Sequence, residues 1–459
     1  MLKTRKGSPD FSSYGRLLRL TWPIIIQQLF SAGISSADVI MLNSVGQSAM
    51  AAGSLAAQYS NILYMVLYGL GTGVTMLSAQ YWGKRDLASI QKVQGIAFRF
   101  SIPVSALFAA GAFLAPELMM RVFTTEAELI ELGSIYLRAV AVSYLCWGIS
   151  EVYLSALRSV ERVVISTVLN VSALLLNIVL NAALVFGWFG LPRMGIAGVA
   201  LATSISRVVQ LFACILVSFL SKDVHLRLSD MFQRSRLLMR DFISMALPAM
   251  GNDVVWGLGF SMYSVIMGHL GSDVVAANSV VTVVRNLGTV CSFAISGATG
   301  IILGKELGAG RFEEAEADAS RALRMSVAAG FLGSAVIAAL IPFVLSYASL
   351  NETAMGYLRI MMYINVYYIM GTAVNTTLIA GVFRAGGDSR FGFLCDTIDM
   401  WCYGVPLGFF AAFVLKLPPM WVYFLLCTDE FVKWPWVLSH YRKKKWVRNI
   451  TRETAADRA

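Results

Sequence analysis

Stretches of mostly apolar residues, each about 20 or more long, recur along this chain, and a helix of that length crosses a bilayer. Such a helix pairs every backbone N–H and C=O within itself, so it needs no partner strand to enter lipid. Scanning for these stretches gives twelve expected spans, near 15–42, 49–82, 93–118, 132–157, 163–187, 195–220, 241–268, 273–305, 322–346, 354–382, 391–415 and 419–440. The composition agrees. Of 459 residues 57% are hydrophobic and 14% charged, whereas soluble domains carry roughly a quarter Asp, Glu, Lys and Arg. A soluble enzyme, a disordered scaffold and a disulfide-stapled secreted module are therefore excluded. The ten-residue alternation of an outer-membrane barrel is absent as well. The expected class is an all-α membrane protein.

Basic residues orient the chain. Tails and even-numbered connections hold 28 Lys and Arg, among them Lys84, Arg85, Arg158, Arg240 and Lys445, while the other face offers Arg121, Arg193 and Lys416. The excess places both termini in the cytoplasm of a multi-pass protein of the plasma (inner) membrane. The net charge of +10 is thereby read as orientation, and no nucleic-acid partner is expected. The basic N-terminus reads as a retained tail rather than a signal peptide.

Metal and redox chemistry have little to work with. The six cysteines lie inside apolar stretches without a C-x-x-C pair, and His225, His269 and His440 are not at ligand spacing, so neither a zinc site nor a cofactor is expected. Gly69, Gly71 and Gly73 form a G-x-G-x-G run without a preceding strand, which suits close helix packing better than a nucleotide.

The longest basic connection, 221–240, divides the chain nearly in half. Sliding the halves by 225 residues brings Pro23 onto Pro248, Gly46 onto Gly271, Ser54 onto Ser279, Asn61 onto Asn286 and Gly83 onto Gly308. At 226, Arg158 meets Arg384 and Arg207 meets Lys433. The expected organisation is a tail over 1–14, an N-lobe of helices one to six over 15–220, a linker over 221–240, a C-lobe of helices seven to twelve over 241–440, and a basic tail over 441–459. Six spans per half make the repeats parallel, related by an axis along the membrane normal with a cavity between them.

Intramembrane carboxylates are expensive and are functional candidates by default. They are Asp38, Glu151, Asp253, Asp396 and Asp399, with Asp429 and Glu430 in the last span. Asn177 and Asn181 share one helix face and can complete a polar pocket. Asp253 follows Asn252 in mid-span seven, and it is read either as a coupling charge or as a structural acid. Asp396 and Asp399, three apart, can raise each other's affinity for a proton or pair with Arg384 or Arg390. Glu151 and Arg207 are expected to neutralise each other across helices. Gln28, Asn252, Trp256, Tyr263 and Tyr367 join Asp396 and Asp399 as candidate cavity residues, since aromatic faces accept flat cations.

Several stretches together resemble the multidrug and toxic compound extrusion (MATE) family. They are Pro23 with Asp38-Val39-Ile40-Met41, Gly46 and Ala51-Ala52; the stretch from Gly195 to Thr203; Phe383-Arg384-Ala385-Gly386-Gly387-Asp388-Ser389-Arg390; and the tail Lys445 to Thr451. The resemblance implies two six-helix lobes and a V-shaped cavity. It also implies export of small organic cations or related amphiphiles from a lipid-embedded monomer, coupled to Na⁺ or H⁺. On it, Asp38 matches the N-lobe cation-coupling aspartate. Some relatives carry an acid where Asn181 stands, and others a glutamate at the position of Trp256, so Asp253 serves that pocket from about one turn away.

Two other functions remain open. A flippase for a lipid-linked or other anionic substrate would want bases inside the spans, where the sequence offers Arg207 and Arg285. A passive channel would want symmetric polar rings, yet at the 225-residue offset Asp38 falls on Tyr263 and Asp253 on Gln28. An enzyme lacks any nucleophile, base and orienter set.

Overall fold

The computed structural model describes residues 11–452 apart from 191, 222, 234 and 349, and the side chains of 11–13, 32, 34–40, 43, 44, 47 and 189 lie outside the described set. Among the described residues the chain is helical throughout, without a strand. The helices run over Phe11–Val45, Gln47–Gly83, Leu87–Leu114, Ala127–Ser159, Val163–Phe186, Gly195–Leu220, Arg236–His269, Ser272–Gly308, Phe312–Tyr347, Glu352–Phe383 and Ser389–Val414. We refer to them as the first to eleventh. The twelfth is broken into Pro419–Leu426, Asp429–Val432 and Trp434–Arg442. Nine of the described helices are long and apolar enough to cross a membrane. The twelfth falls short because its pieces are separate, and the seventh carries Arg240, Asp241, Asn252 and Asp253 within its length.

Helices one to six form one lobe and seven to twelve the other. The internal repeat is visible in the backbone. Gly46 and Gly271, superposed by the 225-residue offset, start the second and eighth helices at φ 151° and 125°, values that an L side chain rarely adopts. Proline stands inside both lead helices, at Pro23 and Pro248.

The lead helices also tie the lobes together. Leu17 of the first packs with Ala298 and Ile302 of the C-lobe, whereas Leu42, near its other end, packs with Val185 and Val199 of the N-lobe. Leu238, Phe242 and Ala246 of the seventh join an N-lobe core containing Leu70, Val74 and Val93. Small residues allow this approach. A Cβ on Gly69 would fall 2.5 Å from the Met250 Cβ, and one on Gly71 would fall 2.6 Å from Ser155 Oγ. The G-x-G-x-G run is a helix-packing surface, as its context indicated: Gly69 and Gly73 face the seventh helix across the lobes and Gly71 faces the fourth helix within the N-lobe.

At the end of the molecule bearing the basic connections the seam is tightest. A Cβ on Gly308 would lie 1.9 Å from the Gln80 carbonyl oxygen. The tail then crosses the seam. Gln80 Nε2 donates to the Ala385 carbonyl at 2.8 Å, and Gln80 Oε1 accepts from the Ile450 N–H at 2.8 Å. Asn449 donates to the Gly308 carbonyl, Arg452 forms a two-pronged pair with Asp241, and the Trp446 ring is buried.

Candidate functional site

Polar groups inside the lobes gather in three places. The first is on the fifth helix, where Asn177 and Asn181 stand one turn apart and both are buried. Asn181 Nδ2 donates to Asn177 Oδ1 at 3.3 Å, and Asn177 Nδ2 donates to Thr203 Oγ1 at 3.1 Å. The first helix packs on the fifth and carries Asp38, whose side chain lies outside the described residues.

The second place is between the lobes. Arg384 donates to Asp253 Oδ1 at 2.7 Å and to Asn252 Oδ1 at 2.8 Å. Its repeat mate, Arg158, donates to Glu151 Oε1 at 2.7 Å. Glu151 thus pairs with a base about two turns along its own helix rather than with Arg207, correcting the expected pair. Arg207 instead lies 4.7 Å over the Trp147 ring and donates to Gln210, which donates to Asn170. Tyr64 and Tyr68 are 47% and 42% exposed and stand near both ion pairs, so the pairs face an accessible space between lobes.

The third place is the C-lobe interior. Lys433 Nζ lies 3.1 Å from Asp396, 3.4 Å from Glu430 and 3.5 Å from Asp399. Asn252 Nδ2 donates to Asp396 Oδ2 at 2.6 Å, linking this cluster to Arg384 and Asp253. Tyr263 donates to Asp429 Oδ2 at 3.0 Å, and Asn375 donates to Glu430 Oε2 at 2.6 Å. Asp396 and Asp399 therefore pair with a lysine of the last helix, not with Arg384 or Arg390.

Of the candidate cavity residues, Gln28 is exposed and Trp256 half-buried against Phe260, with ring centroids 4.4 Å apart. Tyr263 and Asn252 are buried, and Tyr367 donates to the Cys427 carbonyl at 3.4 Å. The partners of two central bases were not anticipated. Arg384 fell just beyond the expected tenth span, but the tenth helix reaches it through a π-helical stretch, Thr377–Phe383. Lys433 sits at a break in the twelfth helix and is 4% exposed. Its match to Arg207 in the repeat was the available signal.

The family model described as MatE matches residues 23–183 and 248–410, two segments that start 225 residues apart. The chain belongs to the MatE family. As a MatE protein it is a multi-pass transporter of the cell membrane, not an enzyme. It is similar to the uncharacterized transporter YisQ of Bacillus subtilis, 22% identical over 94% of this chain and 95% of that protein. It is also similar to the multidrug resistance protein NorM of Burkholderia vietnamiensis, 25% identical over 90% of each. Its fold matches a solved mutant of the Vibrio cholerae MATE transporter VcmN with a TM-score of 0.85 at 15% identity, covering 95% of this chain and 99% of that one. The all-α, two-lobed fold class is thereby established for this MatE chain.

Proposed function

We propose that this protein is a secondary active antiporter. It exports amphipathic, mostly cationic drugs or metabolites in exchange for Na⁺ or H⁺, with both termini in the cytoplasm. The observation that carries the reading is the pair of salt bridges Glu151–Arg158 and Asp253–Arg384 near the lobe interface, whose arginines are repeat mates while their acids are not. A carboxylate held this way is exchangeable charge: an entering organic cation competes with the arginine, and a coupling ion can replace the substrate in turn. Asp38, Asn177 and Asn181 supply the corresponding N-lobe cation pocket, with amide oxygens as neutral ligands. Tyr64, Tyr68 and Trp256 offer aromatic faces to a flat cation. The relatives named for multidrug resistance support the substrate class.

The anionic-substrate flippase has weaker support. Arg158 and Arg384 lie near the interface, but each is already neutralised by a carboxylate. The deciding experiment is uptake of ethidium into proteoliposomes under separately imposed Na⁺ and H⁺ gradients. Accumulation driven by one of them is expected. Ethidium movement indifferent to both gradients overturns the antiport reading.

A further inference from the structure

Four carboxylates and one ammonium share the C-lobe interior. Asp396, Asp399, Asp429 and Glu430 are 5%, 4%, 1% and 3% exposed, and Lys433 is 4% exposed. Fully ionised, the cluster would bury three uncompensated negative charges, which a low-dielectric interior does not tolerate. Its acids are not equivalent. Asp396 accepts from Asn252, Glu430 from Asn375, and Asp429 from Tyr263 and from the Glu430 N–H. Among the described residues neither oxygen of Asp399 has a close hydrogen-bond donor, and its single charged partner, Lys433, stands 3.5 Å away while lying closer to Asp396 and Glu430. The ionised form of Asp399 is thus the most weakly supported of the four, and it is the acid best served by carrying a proton.

The repeat shows that packing alone does not call for these acids. At the 226-residue offset, the N-lobe places Asn170, Ala173, Thr203 and Ser204 where the C-lobe has Asp396, Asp399, Asp429 and Glu430. The base alone is common to both, Arg207 opposite Lys433. Backbone geometry marks the same place: Asp399 opens a π-helical turn over Asp399–Gly404, and the twelfth helix breaks on either side of Asp429–Val432. Such turns recur at functional sites.

On the antiporter reading above, we infer that this cluster is the C-lobe proton site, with Asp399 as its exchangeable position. The Lys433 ammonium occupies the seat among three carboxylates that Na⁺ would otherwise take, so the ligand is the proton. Loading is felt in the substrate space through an unbroken series of contacts. Lys433 touches Asp396, Asn252 donates to Asp396, and Arg384 donates to both Asn252 and Asp253. A proton leaving Asp399 draws Lys433 toward it and away from Asp396. Asp396 then binds Asn252 more tightly, and the arginine hold on Asp253 changes.

The groups that set this balance come from every neighbouring helix. On the twelfth they are Lys433, Glu430 and Asp429; on the eleventh, Asp396 and Cys395. The seventh contributes Tyr263, and the tenth Arg384 and Tyr368, over which Arg285 of the eighth is stacked.

The test uses the full chain in proteoliposomes with ethidium as probe and two readouts: gradient-free ethidium exchange, and accumulation driven by a pH gradient or a Na⁺ gradient. Wild type is expected to exchange ethidium and to respond to the pH gradient alone. Asp399→Asn is expected to retain gradient-free ethidium exchange above that of protein-free vesicles and to lose pH-driven accumulation. Asp399→Glu is expected to keep the drive with a displaced pH midpoint, and it decides the matter if the Asn variant does not fold. Undiminished pH drive in Asp399→Asn, an unmoved midpoint in Asp399→Glu, or Na⁺-driven accumulation by wild type overturns the proton site while leaving antiport intact. Wild type without ethidium exchange would instead count against the antiporter reading itself.

Discussion

Gly73 of the second helix and Ala246 of the seventh approach so closely that a Cβ on Gly73 would fall 2.5 Å from the Ala246 Cβ. The contact joins the two lobes on the side where the basic connections lie. Gly73→Leu should therefore hold the lobes apart there. Overpacking of this kind costs about 1–3 kcal/mol. The expected outcome is a protein that purifies intact with its Tm lowered by a few degrees and ethidium transport near background. Transport at the wild-type rate would show that the lobes do not close at Gly73.

The tail seals the same seam. Gln80→Ala removes the donor to Ala385 and the acceptor for Ile450, leaving buried backbone groups unpaired at about 1–3 kcal/mol each. Thermal unfolding in detergent should show a clear drop in Tm. Truncation before Trp446 should give a similar drop, and the two changes combined should add little, because both release the same contacts.

Asp253 and Arg384 should behave as a pair. Removing one partner of a largely buried ion pair costs about 3–5 kcal/mol, with Asp253 at the lower end because it is partly exposed. Arg384→Met is expected to destabilise more than Asp253→Asn, since Arg384 also donates to Asn252. The double variant should recover part of the loss. Asp253→Asn should also abolish gradient-driven efflux while still binding ethidium in detergent. Normal efflux would return Asp253 to a structural role.

Orientation is tested by labelling single cysteines in intact cells. Labels near Lys84 and in the 221–240 linker should be reachable only from the cytoplasm, and those near Gly46 and Gly190 only from outside. The opposite pattern at either pair contradicts the proposed topology.

Hydropathy made the helices legible, because a span's length is dictated by the bilayer and its polarity by lipid. The repeat was legible too, through prolines and glycines whose backbone roles, as at Gly46 and Gly271, survive when side chains diverge. Partnerships across helices were not. Arg384 lay outside the apolar stretch that marked the tenth span, and only the π-helical stretch before it brings the guanidinium into the interior. Lys433 lay in a span read as continuous, whereas Pro435 and the break at Cys427 turn that helix so that the ammonium points among Asp396, Asp399 and Glu430. The Glu151–Arg207 expectation failed because Arg158, seven residues along the same helix, reaches the carboxylate first. The Asp38 pocket rests on sequence and on the Asn177–Asn181 pair alone.

Alternating access is the centre of the account, and distances between spin labels read it directly. In a background lacking Cys291 and Cys402, one label pair at Leu87 and Phe312 spans the lobes at the basic end, and another at Val45 and His269 spans them at the opposite end. Double electron–electron resonance across a pH series, with and without ethidium, should show the two distances changing in opposite directions. Distances that stay fixed under every condition, or that lengthen and shorten together, would contradict it.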